Sequence, residues 1–314
     1  MLYISHRMAD IRRIADRLVV LRNGRVAGEQ ERPFDITLGI RQMIGRDLEH
    51  DRRAARPGAA AFVHIEQLRL GKDSAPFDLT IGAGEIVAII GALGSGKSRF
   101  LRTLYGLEPL VSGTIALDGA AWRPQSPAKS VANGVFLAGE DRWATSLLPA
   151  ATPASDIAGA IALPHRKAWF PGGVVDGARE NRAAIGTIQA LRIRCNGPSD
   201  SLEALSGGNQ QKVVIGRWQA APCRWLLLDE PFQGVDIGAR RDLIDSLRET
   251  RAEGATLIAV SDVEEALECA DRVAVMRDHT IVAVHDLDRG GAEPILESLS
   301  VLEGETDQQT GGSR

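Results

Sequence analysis

The chain has 314 residues, enough for one large domain or two smaller ones, and its 44% hydrophobic and 25% charged residues are ordinary for a globular protein. A net charge of −4 disfavours nucleic acid as a partner. The three cysteines are widely spaced and exclude a disulfide framework, no apolar run is long enough to span a bilayer, and no signal peptide is expected at the N-terminus.

The beginning of the chain is unusual for the start of a domain. Its predicted elements are strands at residues 2–4, 17–21 and 25–28, a helix at residues 9–14, and a hairpin turn at Asn23-Gly24. These elements are too few to bury a hydrophobic core of their own.

An internal repeat explains this beginning. Residues 2–27 align without gaps with residues 257–282, and Ala15-Asp16-Arg17 falls on Ala270-Asp271-Arg272. We therefore predict that residues 1–48 are the end of a first unit and that a complete second unit follows. The alternative is a coincidence between two similar hairpins.

The second unit is expected to span residues 61–290, after a short helix at residues 37–44 and a polar linker with proline and glycine at residues 49–60. The remaining residues, 291–314, lose any pattern and predict a disordered tail. The predicted strands of a small antiparallel sheet lie near Phe62 and at residues 77–81 and 114–117.

The most informative stretch joins a strand to a helix through a glycine-rich loop. Apolar residues 86–90 come before the loop, and the helical pattern after it stops at Gly106. The motif GxxxxGK[ST] at the join predicts backbone N–H groups that cradle phosphates, a lysine on the β- and γ-phosphates and a serine hydroxyl on Mg²⁺. The residues predicted to bind ATP are Gly91, Ala92, Leu93, Gly94, Ser95, Gly96, Lys97 and Ser98. The alternative is an ordinary glycine turn before a core helix.

A helical subdomain is predicted at about residues 147–215, and its clearest helix lies at residues 178–193. Two short apolar runs follow, at residues 225–228 and 255–260, and both are typical of buried parallel strands.

The first of these runs ends in two acids. We expect Asp229 to hold Mg²⁺ beside Ser98, and Glu230 to polarise a water for attack on the γ-phosphate. The alternative is that both acids only cap the helix that follows.

The sequence LSGGN lies between the glycine-rich loop and the two acids, and comprises Leu205, Ser206, Gly207, Gly208 and Asn209. Ser206 is a good candidate for a helix N-cap, and the two glycines expose backbone N–H groups where the helix begins. A second anion-binding site and a plain capped helix are both open at this point.

Taken together, these motifs resemble those of the ATP-binding cassette (ABC) ATPases. LSGGN is similar to the signature motif of that family, and its place between GALGSGKS and LLLDEP is the same. More narrowly, LSGGNQQKV, GVDIGAR and GEDR resemble the second cassette of the tandem ATPases that energise bacterial importers of ribose, xylose and galactose. The chain start resembles the end of their first cassette, so the similarity covers roughly residues 2–286.

The resemblance implies an α/β fold: a P-loop NTPase (RecA-like) core with an antiparallel β subdomain and an inserted helical subdomain. It implies an ATPase with ATP and Mg²⁺ as cofactors, peripheral at the cytoplasmic face of the inner (plasma) membrane. The implied partners are ABC permease membrane subunits, another ABC cassette (the missing first one or a second chain) and, indirectly, a periplasmic sugar-binding protein. Nucleic acid is not an expected partner.

The resemblance also implies roles for single residues. The signature residues 205–209 would contact the ATP held by the opposite cassette, Asp236 in the D-loop would lie at the seam between cassettes, and Glu230 would be the general base. Glu140 stands at the Q-loop position, which contacts Mg²⁺ or water and senses the membrane subunit. His6 matches the switch histidine of the first-cassette remnant.

The chain also departs from the family pattern. The repeat alignment places Ser261 where His6 lies, so the complete cassette lacks a switch histidine, and Glu140 replaces the usual glutamine. No aromatic residue is well placed near Leu70 to stack on adenine. These departures leave open a site that is slow or degenerate.

The functions that remain open differ in class. The favoured one is the ATP-hydrolysing subunit of an importer of simple sugars, and an importer of nucleosides or other small solutes is its nearest alternative. A non-transport ABC protein on nucleic acid or ribosomes is disfavoured by the net charge of −4. A regulatory cassette that binds ATP without hydrolysing it is motivated by Ser261.

Overall fold

A computed structural model describes residues 14–22, 25–34, 38, 42, 61–250, 254–287, 294, 295 and 298. The chain divides into two compact units, one formed by Met1–Ala55 with His285–Arg314 and the other by Arg56–Val284. Several predictions lie outside the described residues: His6, the strand at 2–4, the turn at Asn23-Gly24, the linker at 49–60, almost all of the helices at 9–14 and 37–44, and most of the tail.

The described part of the first unit contains a β-hairpin. Strand β1 (Arg17–Arg22) pairs antiparallel with strand β2 (Arg25–Glu31), and Arg17 lies opposite Glu31. The register shifts between Val20 and Leu21. Both strands predicted in this stretch are confirmed.

The second unit begins with an antiparallel sheet. Its strands are β3 (Ala61–Arg69), β4 (Phe77–Gly82), β6 (Ser112–Leu117) and β7 (Ala120–Ala121), in the order β4-β3-β6-β7, and strand β5 (Ile86–Ile90) belongs to another sheet. Alternate residues of β4 are buried because only one face of this sheet packs on the core. The predicted antiparallel sheet is therefore confirmed.

A second, six-stranded sheet forms the centre of this unit. Its further strands are β8 (Val135–Ala138), β9 (Trp225–Asp229), β10 (Ala255–Ala259), β11 (Arg272–Arg277) and β12 (Thr280–Asp286), and the order is β12-β11-β5-β10-β9-β8. The strands from β11 to β8 pair in parallel. Every residue of β5, β9 and β10 is buried, and all are apolar except Thr256 and Asp229, as expected of central strands that are covered on both faces. Strand β10 lies between β5 and β9, so the carboxyl ends of all three meet at one edge.

Helices cover this sheet and form an inserted layer. In chain order they are α1 (Lys97–Tyr105), α2 (Pro127–Ala132), α3 (Arg142–Thr145), α4 (Ile157–Ala162), α5 (Arg166–Trp169), α6 (Gly177–Ala190), α7 (Gly207–Gln219), α8 (Ile237–Thr250) and α9 (Val263–Cys269), with short 3₁₀ turns at Leu163–His165 and Leu202–Ala204. Helix α1 buries Phe100, Leu101 and Leu104 in the core that it shares with both sheets, and Gly106 ends it at φ 81°. Helices α4, α6 and α7 pack together.

The predicted helix at residues 178–193 is partly wrong at its C-terminal end. Helix α6 ends at Ala190, because Arg192 adopts a left-handed φ of 51° and the N–H of Ile193 bonds to the carbonyl of Ile188. The helical pattern of side chains extends to residue 193, but the helical backbone ends at Ala190.

Candidate functional site

The glycine-rich loop lies between β5 and α1, as its sequence predicts. Gly94 and Gly96 adopt φ values of 84° and 107°, in the left-handed region that favours glycine. At Gly91, a Cβ atom would lie 2.2 Å from the carbonyl oxygen of Met276 on the neighbouring strand β11. The loop therefore needs a glycine at each of these three positions.

Lys97, the first residue of α1, points back into this loop. Its Nζ donates to the carbonyl oxygen of Gly91 at 2.7 Å, and the residue is only 7% exposed. Burial lowers the pKa of Lys97, while the nearby charges of Glu230, Asp229 and Glu140 act in the opposite direction. The ammonium group thus lies among the three acids that the sequence singles out.

The next residue, Ser98, contacts the end of strand β9. Its hydroxyl donates to Oδ1 of Asp229 at 3.0 Å, across 131 residues of sequence. Burial raises the pKa of Asp229 to about 6, the bond from Ser98 opposes this rise, and the charges of Glu140 and Glu230 add to it. A buried carboxylate in this state is stabilised by any cation that binds to it.

The donor atoms of Ser98 and Asp229 fit Mg²⁺. Both are hard oxygen atoms, the kind that Mg²⁺ prefers, and one of them belongs to a buried carboxylate. Among the described residues, no group of three or more histidines, cysteines and acids could hold a metal.

Glu230 follows Asp229 and is held by the neighbouring strand. Its backbone adopts φ 46°, and its N–H donates to the carbonyl oxygen of Ala259 at 2.9 Å. Its Oε2 accepts the backbone N–H of Ser261 at 3.1 Å, and its Oε1 accepts a short hydrogen bond from the Ser261 hydroxyl. Ser261, at the predicted switch position, therefore contacts the predicted general base.

Glu140 lies just after strand β8 and is exposed. Because β8 pairs in parallel with β9, Glu140 lies at the same edge of the sheet as Asp229, and its negative charge raises the pKa of both Lys97 and Asp229. The structure thus brings Glu140 together with the loop and the two acids.

The signature residues lie where helix α7 begins. Ser206 occupies the N-cap position as predicted, but its side chain makes no capping hydrogen bond, so that part of the prediction is wrong. Its hydroxyl instead accepts a bond from Nδ2 of Asn209 at 2.9 Å. Leu205 is buried, whereas Ser206 is exposed and can reach a ligand from outside.

The signature also contacts the D-loop within this chain. A Cβ atom at Gly208 would lie 2.8 Å from Cβ of Ala239 and 3.3 Å from Oδ2 of Asp236. Asp236 accepts the N–H of Ala239 at 2.9 Å, and this bond is the main reason why its pKa is lowered. Asp236 therefore fixes the start of α8 against the glycines of α7.

Two side chains in this region were not assigned a role from the sequence. The guanidinium of Arg142, in the GEDR motif, lies 3.1 Å from where a Cβ of Gly207 would be. The backbone N–H of His279 donates to the carbonyl oxygen of Ser95 at 2.8 Å, and the ring of His279 packs on Gly96. The GEDR motif could have pointed to Arg142, but nothing in the sequence indicates the contact of His279.

Leu70 and Phe77 both lie in the hydrophobic core of the second unit. Leu70 is 1% exposed, and the ring of Phe77 packs in the core against Phe100, with centroids 5.2 Å apart.

Among the described residues, no helix is long and apolar enough to cross a membrane.

The family model for ABC transporters matches residues 75–233, about half of the chain, and includes the loop, the signature and both acids. The chain belongs to the ABC transporter family. Its α/β architecture, a P-loop core with a β sheet and helices added, is that of an ABC cassette.

Solved ABC cassettes share this fold. The ADP conformation of the ATP-binding cassette MJ1267 superposes with a TM-score of 0.63, covering 77% of this chain and 99% of that one at 18% identity. A dimeric cassette, MJ0796, solved with ADP and phosphate, superposes with a TM-score of 0.60, covering 73% and 99% at 20% identity.

Curated ABC relatives are longer than this chain. The ribose import ATP-binding protein RbsA of Chromobacterium violaceum is 34% identical over 288 residues, which are 90% of this chain and 56% of the relative. The arabinose import ATP-binding protein AraG of Mannheimia succiniciproducens is 33% identical over 310 residues, 96% of this chain and 61% of the relative. The chain thus spans somewhat more than half of their length.

Proposed function

We propose that this chain binds ATP with Mg²⁺ and hydrolyses it as the energising subunit of an importer of simple sugars. The observation that supports this best is the contact between Ser98 and Asp229, 3.0 Å apart. It joins the phosphate-binding loop to the end of strand β9, directly before the proposed general base, Glu230. The chemistry of phosphoryl transfer needs this juxtaposition, because positioning and charge neutralisation supply most of the catalysis.

The residues of the loop bind and orient the triphosphate. The N–H groups of residues 91–98 and the N-terminus of α1 face the phosphates, and Lys97 exchanges its bond to Gly91 for a bond to a phosphate oxygen. A bound Mg²⁺, held by Ser98 and Asp229, would neutralise charge on the β- and γ-phosphates.

Glu230 then acts on the attacking water. Its carboxylate accepts a proton while the water oxygen bonds to the γ-phosphorus, and the bond from that phosphorus to the bridging oxygen breaks. The electron pair leaves with ADP, and the proton passes from Glu230 to solvent. The position of Glu230 one residue beyond the buried Asp229 supports a division of roles between the two acids.

The site needs a second cassette for completion. In this proposal the signature residues 205–209 contact ATP held by another cassette, and Asp236 lies at the seam between the two. The exposed hydroxyl of Ser206 and the start of α7 support this role, because both offer hydrogen-bond donors to an anion. Either a first cassette or a second chain provides the partner.

The proposed substrate class rests on the relatives. Both RbsA and AraG carry the names of sugar import proteins, so we assign simple sugars to the transporter that this chain serves. Permease membrane subunits bind the chain at the cytoplasmic face of the membrane, and a periplasmic binding protein delivers the sugar to them. Glu140, at the Q-loop position near Lys97 and Asp229, is the residue that links the permease to the ATP site.

The experiment reconstitutes the chain with its permease and measures sugar-stimulated ATP hydrolysis and uptake. We expect Glu230→Gln to bind ATP and to lose turnover by about 100-fold or more, whereas Lys97→Ala weakens ATP binding at least about tenfold. The control is Lys129→Ala, an exposed lysine on α2. Uptake of a nucleoside instead of a sugar would overturn the substrate assignment, and full turnover by Glu230→Gln would overturn the mechanism.

A further inference from the structure

The residue at the switch position is a serine, and the structure gives it a different contact. Ser261 lies two residues after strand β10, at the same sheet edge as Glu230. Both of its hydrogen-bond donors are directed to Glu230: the backbone N–H to Oε2 at 3.1 Å, and the hydroxyl to Oε1. Each oxygen of the carboxylate therefore has a fixed partner.

These two bonds define the orientation of the carboxylate plane. A lone hydrogen bond leaves a carboxylate free to rotate about its last torsion, whereas one bond to each oxygen removes that freedom. The backbone of Glu230 is fixed as well, since its N–H donates to Ala259 O at 2.9 Å. Hydrogen bonds thus hold both the backbone and the side chain of Glu230 to residues at or just beyond the end of β10.

We propose that Ser261 is a positioning residue for Glu230, which it holds ready to accept a proton from the attacking water. This inference rests on the proposed function, because it assigns a role within ATP hydrolysis at this site. The serine acts through the carboxylate instead of reaching for the γ-phosphate.

The hydroxyl suits this role because it can both donate and accept. While Glu230 is ionised, the Ser261 hydroxyl donates to Oε1. Once Glu230 has taken the proton, the same hydroxyl can rotate and accept a bond from the new O–H group. Ser261 and Glu230 therefore stay hydrogen-bonded both before and after the proton transfer.

The hydrogen bonds from Ser261 to Glu230 orient the carboxylate more than they stabilise the folded protein. Ser261 is exposed and Glu230 is half-buried, and hydrogen bonds in such places add little to the free energy of unfolding. Ser261→Ala should therefore leave the melting temperature unchanged, which separates a loss of turnover from a loss of folding.

The test measures ATP hydrolysis by the chain reconstituted with its permease, in Ser261→Ala, Ser261→Thr and the control Ser112→Ala, an exposed serine in β6. We expect Ser261→Ala to lower kcat about 10- to 100-fold, the size expected for a bond to a charged group, with KM for ATP unchanged. Ser261→Thr keeps the hydroxyl and should restore most of the rate.

A double variant distinguishes a positioning role of Ser261 from a purely structural one. In the Glu230→Gln background, Ser261→Ala should cause no further loss, because the group that it positions no longer accepts a proton. A wild-type kcat in Ser261→Ala, a Thr variant as slow as the Ala variant, or an equal loss in both backgrounds would overturn the inference. If wild type binds no ATP, or if Glu230→Gln turns over fully, the proposed function itself fails.

Discussion

The hydroxyl of Ser98 lies 3.0 Å from Oδ1 of Asp229, although the two residues belong to different halves of the ABC cassette. One follows strand β5 and the other ends β9, with β10 between them. The parallel sheet creates this contact, because all three strands present their carboxyl ends at the same edge. Any change at Asp229 is therefore expected to affect the loop that we propose binds the phosphates.

The first prediction concerns the pH dependence of Mg²⁺ binding at Asp229. Burial raises its pKa to about 6, so a proton competes with the metal as the pH falls through that value. Mg²⁺-dependent ATP binding should weaken between pH 7 and pH 5.5, and calorimetry at both values measures it. Binding that is equally tight at both values would contradict the role of Asp229.

The same shift predicts how Asp229→Asn changes stability without ligand. The folded-state pKa lies above the ordinary value of 3.8, so the carboxyl favours the folded state when protonated and that contribution is lost as the pH rises through about 6. At pH 7.5, Asp229→Asn should raise the free energy of unfolding by up to about 3 kcal/mol while abolishing Mg²⁺ binding. A variant that is destabilised in urea at this pH would contradict this account of the buried charge.

Two glycines of the loop allow a matched comparison. Both have positive φ, but a Cβ at Gly94 meets open space, whereas one at Gly96 lies 3.1 Å from the ring and Cα of His279. Gly94→Ala should cost only the backbone strain of about 1–2 kcal/mol. Gly96→Ala should cost more, because it also displaces the turn that bonds to Ser95. Thermal melts rank the two variants, and equal losses would contradict the contact.

The burial of His165 predicts that the folded protein loses stability in acid. Its Nε2 lies 2.6 Å from the carbonyl oxygen of Arg217, and its ring packs against Trp169 and Trp218. Burial lowers its pKa below 6.5, so the stabilisation is complete above that value and is lost as the pH falls towards the folded-state pKa. His165→Gln removes this titration, and its unfolding free energy should fall less than that of wild type between pH 7.5 and pH 5.5. An identical fall in both proteins would show that His165 does not titrate.

Local signals in the sequence predicted the strand β5, the loop and helix α1, because apolar runs and glycines determine these elements within a few residues. The motif also predicted the contact between Ser98 and Asp229. Side-chain contacts between strands were not predictable in this way. The bonds from Ser261 to Glu230 and the packing of His279 on Gly96 depend on which strands are neighbours, and local periodicity carries no information about that.

Two expectations failed for a related reason. Ser206 has the right residue type for a cap, but Asn209 competes for its hydroxyl, and the outcome depends on rotamers that the sequence does not encode. Helix α6 ends early because Arg192 takes a left-handed conformation that its residue type does not signal. The domain boundaries and the roles of the site residues stay predictions.

The most direct measurement of the central claim is isothermal calorimetry of ATP with Mg²⁺ on the wild-type chain, Lys97→Ala and the control Lys129→Ala. Lys97 is buried within the loop, so its loss should weaken ATP binding at least about tenfold, the lower end for a bond to a charged group. The control should bind as wild type does. Folded wild-type protein that takes up no ATP, or Lys97→Ala protein that binds as tightly as wild type, would contradict the account.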